Sequence, residues 1–166
     1  MPACNPATAA AAPGIDWQWQ AAEPGDLQAM AGLRVAAMRA SLERIGRFDL
    51  ERARARLREG FDAACARHIV LAGQRVGLAL VRPVAAADGV AAHWRLDHLY
   101  LLPAAQGQGL GSAVLRALLA EADQAGQALH LGALRDSDAN RFYLRHGFVL
   151  VGRSEFDNHY RRPPRG

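Results

Sequence analysis

Lysine is absent from this chain: all 20 basic residues are arginine, set against 16 acidic residues for a formal net charge of +4. With so much Ala, Gly and Pro beside it, the missing lysine points to a GC-rich coding bias. The arginine excess therefore says little by itself, although a basic surface does attract polyanions. Cysteine is nearly absent. Cys4 and Cys65 are too few and too far apart for a disulfide framework or a metal-ligand spacing. A reducing cytoplasm is the expected compartment. Long apolar runs are absent too; none approaches the roughly 20 residues of a membrane helix. Residues 1–14 have neither a basic n-region nor an apolar h-region, and they read as an Ala- and Pro-rich tail rather than a signal peptide. What is present is 166 residues, 51% hydrophobic and 22% charged, the profile of one soluble core.

Periodicity sets out the elements. Alternation predicts a strand over 15–22, with Ile15, Trp17 and Trp19 on one face. Asp26 is the expected N-cap of a helix over 27–42, whose apolar residues Leu27, Met30, Ala31, Val35 and Met38 recur at three- and four-residue steps. A second helix, rich in Arg and Glu, is expected over 49–61. Strands follow over 67–72 and 75–81 with a tight turn at Gly73-Gln74, then a loop over 83–92. A third strand over 93–102 is stopped by Pro103. A helix with a broad apolar face is expected over 110–124, and a strand over 129–134. A short helix capped by Asp136 or Ser137 runs to His146 and ends at Gly147. Strands over 148–153 and 156–160 finish the chain, with 161–166 read as a Pro-rich tail. The order predicts an α+β (mixed α/β) fold: a twisted, mostly antiparallel mixed sheet of six or seven strands flanked by about four helices, all in one domain over 15–160.

Between the strand before Pro103 and the helix at 110–124 lies Gln106-Gly107-Gln108-Gly109-Leu110-Gly111-Ser112. The first turn of a helix has unpaired N–H groups and the positive end of the dipole. Glycines let backbone curl closely around an anion. Such a loop is suited to a pyrophosphate. The dinucleotide fingerprint needs a G-x-G-x-x-G spacing and the P-loop needs Lys before its Ser or Thr. This loop has neither. Without a ligand it would be a Gly-rich strand–helix turn.

Here the chain resembles the GNAT superfamily, whose pattern is a strand, a Pro, then [Q/R]-x-x-G-x-[G/A] opening a helix. A second signature of that family, roughly A-x-x-F-Y-x-x-x-G-F, is matched by Ala139, Phe142, Tyr143, Gly147 and Phe148. The two occur in the expected order with a strand between them. The resemblance implies an acyl-CoA N-acyltransferase fold with acetyl-CoA as cosubstrate and no metal. The amides of Gln106, Gly107, Gln108, Gly109, Leu110, Gly111 and Ser112 would hold the pyrophosphate. The backbone of Leu99, Tyr100 and Leu101 would pair with the pantetheine arm at a bulge that frees one amide for the thioester oxygen. Tyr143 would be the general acid, since a phenol of pKa about 10 stays protonated near neutrality. Asn140, one turn earlier, would face the same groove and touch the cofactor. Where many members have an Asn just before this helix, Asp136 and Ser137 stand. Phe142 and Phe148 are assigned to the core.

An attacking amine must lose a proton. Asp97, His98, His130, Glu155, Asp157 and His159 are the candidates to take it, with His98 first because it lies just upstream of the expected bulge; ordered water is the alternative. Arg39, Arg44 and Arg47 are candidates to hold a carboxylate of the acceptor, or else surface charge. The expected activity is acetyl transfer to a primary amine of an unidentified small molecule or protein by direct attack. The alternative is a non-catalytic acyl-CoA-binding module. Arg52, Arg54, Arg56 and Arg58 spread around a helix instead of forming one stripe, so no nucleic acid is expected as a partner, nor a membrane. The family resemblance leaves room for a homodimer.

Overall fold

The computed structural model describes residues 14–166; the rest of the expected N-terminal tail, with Cys4, lies outside the described residues. Seven strands form one mixed sheet in the order β1-β2-β3-β4-β5-β7-β6. Four helices accompany it, as the α+β reading expected. No helix among the described residues is long and apolar enough to cross a membrane. The chain falls into two compact units: residues up to Leu80 with His98–Ala113, and Val81–Asp97 with Val114–Gly166.

In the first unit β1 (Trp17–Ala21) pairs antiparallel with β2 (Ala66–Leu71), and β2 pairs with the first part of β3 (Gln74–Val84). The β2–β3 turn sits one residue earlier than expected. Leu71 pairs with Gln74, so the turn residues are Ala72 and Gly73, at φ 49 and 78. A two-residue hairpin loop of this hand needs positive φ at both positions, and Gln74 is kept by the ladder. Helix α1 (Leu27–Arg44) packs on α2 (Leu50–Arg58). Met30, Ala31, Leu57, Cys65, Ala66, Leu78 and Leu80 form the unit's core, with Tyr100 packed against it.

The Asp49 carboxylate accepts from Arg52 N–H and caps α2. Asp26 does not cap α1 in this way. Its carboxylate accepts from Glu23 N–H and His68 Nε2, both at 2.9 Å, and from Arg75 at 3.2 Å. The His68 hydrogen bond is the main reason its pKa falls to about 2.

In the second unit the start of β4 (His93–Leu101) runs parallel to β5 (Leu129–Leu134), β5 antiparallel to β7 (Asp157–Arg162), and β7 antiparallel to β6 (Val149–Arg153). β6 ends the strand order, with Val149, Leu150 and Val151 exposed. Val114, Leu115, Leu118, Leu119 and Ala122 of helix α3 (Leu110–Gln124) are buried, as are Leu129, Leu131 and Ala133 of β5. Helix α4 (Ala139–Arg145) packs on β5. Neither Asp136 nor Ser137 caps it; Asp138 holds the N-cap position without a side-chain capping bond, and Ser137 Oγ donates back to Leu134 O at 2.9 Å. Gly147 ends α4 at φ 85.

The sheet also outlasts the predicted boundary at 160. β7 runs on to Arg162, which is buried and donates two bonds to Asp123, at 2.7 and 3.0 Å. Those bonds hold the Asp123 carboxyl below its ordinary pKa. Two register positions and a bidentate ion pair outweigh the reach of the prolines, which begin only at Pro163.

Candidate active site

The first unit carries the end of β4 and the glycine loop. Gly77 on β3 allows β4 to come close: a Cβ there would lie 2.5 Å from Tyr100 O and 2.6 Å from Leu101 Cδ2. Leu102 N–H donates to Val76 O at 2.8 Å and fixes the strand's last residues. The loop is then pinned by two side chains, Gln106 Nε2 donating to Leu101 O (2.9 Å) and Gln108 Nε2 to Ala104 O (3.1 Å). Gly107 and Gly109 adopt φ of 76 and 83, the left-handed conformation glycine accepts at no steric cost. Among the described residues no atom lies within 4 Å of a Cβ built at Gly107, and only Ile15 Cδ1, at 3.7 Å, at Gly109. The helical ladder opens with Ala113 N–H to Gly109 O, so the N–H groups of Leu110, Gly111 and Ser112 precede it. An open, left-handed glycine turn running into three unladdered N–H groups fits a pyrophosphate.

The parallel ladder between β4 and β5 joins residues 94–96 to residues 129–131.

His98 lies in the same unit, with Nδ1 3.3 Å from Tyr100 Oη. Tyr100 Oη in turn accepts from Arg34 Nε at 3.2 Å, and the Arg34 guanidinium lies over the Tyr100 ring. Arg34 is buried and also donates to Ala53 O at 2.6 Å. Sequence reasoning listed Tyr100 only for its backbone and missed Arg34 entirely. The signal was there: Arg34 falls four residues after Met30 on the face of α1 that is otherwise apolar, where a charge needs a reason.

The second unit carries α4. Tyr143 is buried, its ring edge-on to Phe142 and Phe148 and 6.4 Å from that of Tyr160. Phe148 is buried as expected, and Phe142 is half-buried against His146. Asn140 Nδ2 donates to Leu134 O (2.7 Å) and Ser137 O (2.9 Å), and lies 3.2 Å from Arg135 O. Its Oδ1 accepts from Asn158 Nδ2 (2.9 Å) and Tyr160 Oη (2.8 Å). With every donor and acceptor engaged, the side chain pegs the start of α4 to β5 and β7.

The remaining base candidates are also placed in the second unit. Asp97 is held between Arg82 and Arg95. His130 stacks on His93 with centroids 3.9 Å apart. Burial, helped by the charges of His93, Arg161 and Arg95, pushes its pKa down to about 4. His159 and Asp157 lie on β7 and Glu155 is exposed before it. Of the acceptor-anchor candidates, Arg39 is exposed, paired with Glu43 at 3.0 Å and stacked over Phe48.

A family model for the acetyltransferase (GNAT) domain matches residues 65–150, more than half of the chain. The chain belongs to the GNAT family and is an acyl-CoA-dependent acetyltransferase. No curated protein matches the sequence. Among solved structures it is similar to the PaiA N-acetyltransferase of Thermoplasma acidophilum in complex with coenzyme A, at 14% identity and a TM-score of 0.69, over 90% of this chain and 99% of that one. It is similar to an acetyltransferase of Thermus thermophilus at 20% identity and a TM-score of 0.68, over 89% and 96%. A GNAT-family acetyltransferase of Listeria monocytogenes gives 16% identity and a TM-score of 0.64, over 95% and 99%. At such identities the likeness is one of fold.

Proposed function

We propose that this chain transfers the acetyl group of acetyl-CoA to a primary amine by direct attack in a ternary complex. The observation that carries the reading is the glycine loop: two left-handed glycines open to their surroundings and leading straight into the unladdered first turn of α3. That turn, with Gln106 and Gln108 tying the loop down, would hold the pyrophosphate of the cosubstrate. The backbone of Leu99, Tyr100 and Leu101 would take the pantetheine arm as an added strand and present an amide to the thioester oxygen.

The amine nitrogen attacks the thioester carbonyl carbon, the C–N bond forms and the C–S bond breaks. The departing thiolate takes a proton from the Tyr143 hydroxyl. The proton lost by the nitrogen goes to His98, directly or through water, and Tyr100 fixes the orientation of the imidazole by its hydroxyl.

The test is a melting curve with and without acetyl-CoA, followed by thiol release across a panel of amines. At about a hundred times its Kd, the ligand adds about 2.7 kcal/mol. For a chain of this size that raises Tm by about 5–10 °C. A rise together with amine-dependent thiol release supports the reading. A flat melting temperature with acetyl-CoA and with longer acyl-CoAs sinks it.

A further inference from the structure

One face of the second unit's sheet carries a row of cationic and imidazole side chains that the proposed chemistry does not use. Register places Arg95 of β4 opposite His130 of β5, and His130 opposite Arg161 of β7. The next position along is Gly132, paired with His159. Because strands alternate faces, Arg95, His130, Gly132, His159 and Arg161 share one side. Gly132 is exposed, and a Cβ built on it would meet His159 Nδ1 at 3.6 Å and Arg95 Nη2 at 3.9 Å. Two nitrogens from different strands thus converge over a position with no side chain of its own.

Charge on this face is positive around that position. Asp97, the carboxylate nearest in register, is shared between Arg82 and Arg95. Asp157 lies on the same face of β7, beyond His159 and paired with Leu134. Among the described residues Arg161 has no ion-pair partner and His159 no hydrogen-bond partner. Burial is the main cause of the low pKa of His130, and the charges of His93, Arg161 and Arg95 add to it.

We propose that the position over Gly132 binds an oxyanion, a carboxylate or a phosphate, seated between Arg95 and His159 with Arg161 beside it. A planar guanidinium and an imidazole N–H converging over bare backbone match such a group.

In the test, ring-proton NMR signals of His159 in the full chain are followed during titration with succinate and, separately, inorganic phosphate; reading His159 keeps any phosphate bound at the glycine loop from being mistaken for this site. Saturable shifts are expected, weakened tenfold or more by Arg95→Gln and by Gly132→Leu, with the acetyl-CoA rise in Tm unchanged in both variants. Response to one probe only assigns carboxylate or phosphate. No saturable shift with either, or shifts that survive both substitutions, overturns the site.

Discussion

Replacing Asn140 by Ala should cost far more stability than a helix-surface substitution does. The change removes the acceptor for Tyr160 Oη and Asn158 Nδ2 and the donor for Leu134 O and Ser137 O. Tyr160 is 3% exposed, so its hydroxyl has no ready access to water once Asn140 is gone. Taking about 1 kcal/mol net for each of these four hydrogen bonds and about 1–3 kcal/mol for an orphaned buried hydroxyl, the loss comes to about 5–7 kcal/mol. Tm should fall by about 10–28 °C.

Tyr160→Phe alone removes one of these bonds and should cost about 1 kcal/mol. In the double variant the shared bond is lost once and no hydroxyl is stranded, so the two losses should fail to add by about 2–4 kcal/mol. Urea unfolding followed by tryptophan fluorescence measures all four corners of the cycle. Additive losses, or an Asn140→Ala variant of unchanged stability but weakened acetyl-CoA binding, would refute the peg and return Asn140 to the cofactor.

Four further outcomes are expected. Gly109→Val places a β-branched residue at φ 83, where the left-handed region costs an L-residue about 1–2 kcal/mol, so the loop must rearrange and the acetyl-CoA rise in Tm should disappear. Tyr143→Phe should lower kcat by about a hundredfold with little change in KM, as expected for a lost proton donor; unchanged turnover would leave Tyr143 as packing only. Asp26 has a folded pKa of about 2 against an ordinary 3.8, so its contribution, about 1–2 kcal/mol, is complete above pH 4–5 and lost as pH falls toward 2. Asp26→Asn should flatten that part of the stability–pH curve. Asp123→Ala leaves the buried Arg162 guanidinium without its carboxylate and should cost about 3–5 kcal/mol in urea unfolding.

Local rules recovered the elements because their periods were clean. The bounds of α3 and β5 came out as predicted, and Gly147 closed α4 as a left-handed residue should. What was missed depends on partners distant in the chain. Asp26 looked like a cap because its neighbours are helical, but His68 and Arg75 claim its carboxylate from β2 and β3. The tail after residue 160 looked too Pro-rich for a strand, but Asp123 on α3 holds Arg162 in place. The left-handed turn at Gly107 and Gly109 was legible because glycine spacing encodes backbone conformation directly. The Asn140 peg and the Arg34–Tyr100–His98 chain were not, because each joins residues whose proximity only the fold creates.

β6 ends the strand order, paired with β7 alone, and shows Val149, Leu150 and Val151 exposed in succession. Its free side carries unpaired backbone donors and acceptors next to apolar side chains, and only Arg153 at its end supplies a charge. Such an edge is a template for other extended chains. Turbidity in concentrated solutions should therefore begin at β6, and a single charged replacement at Val151 should delay it without touching acetyl transfer.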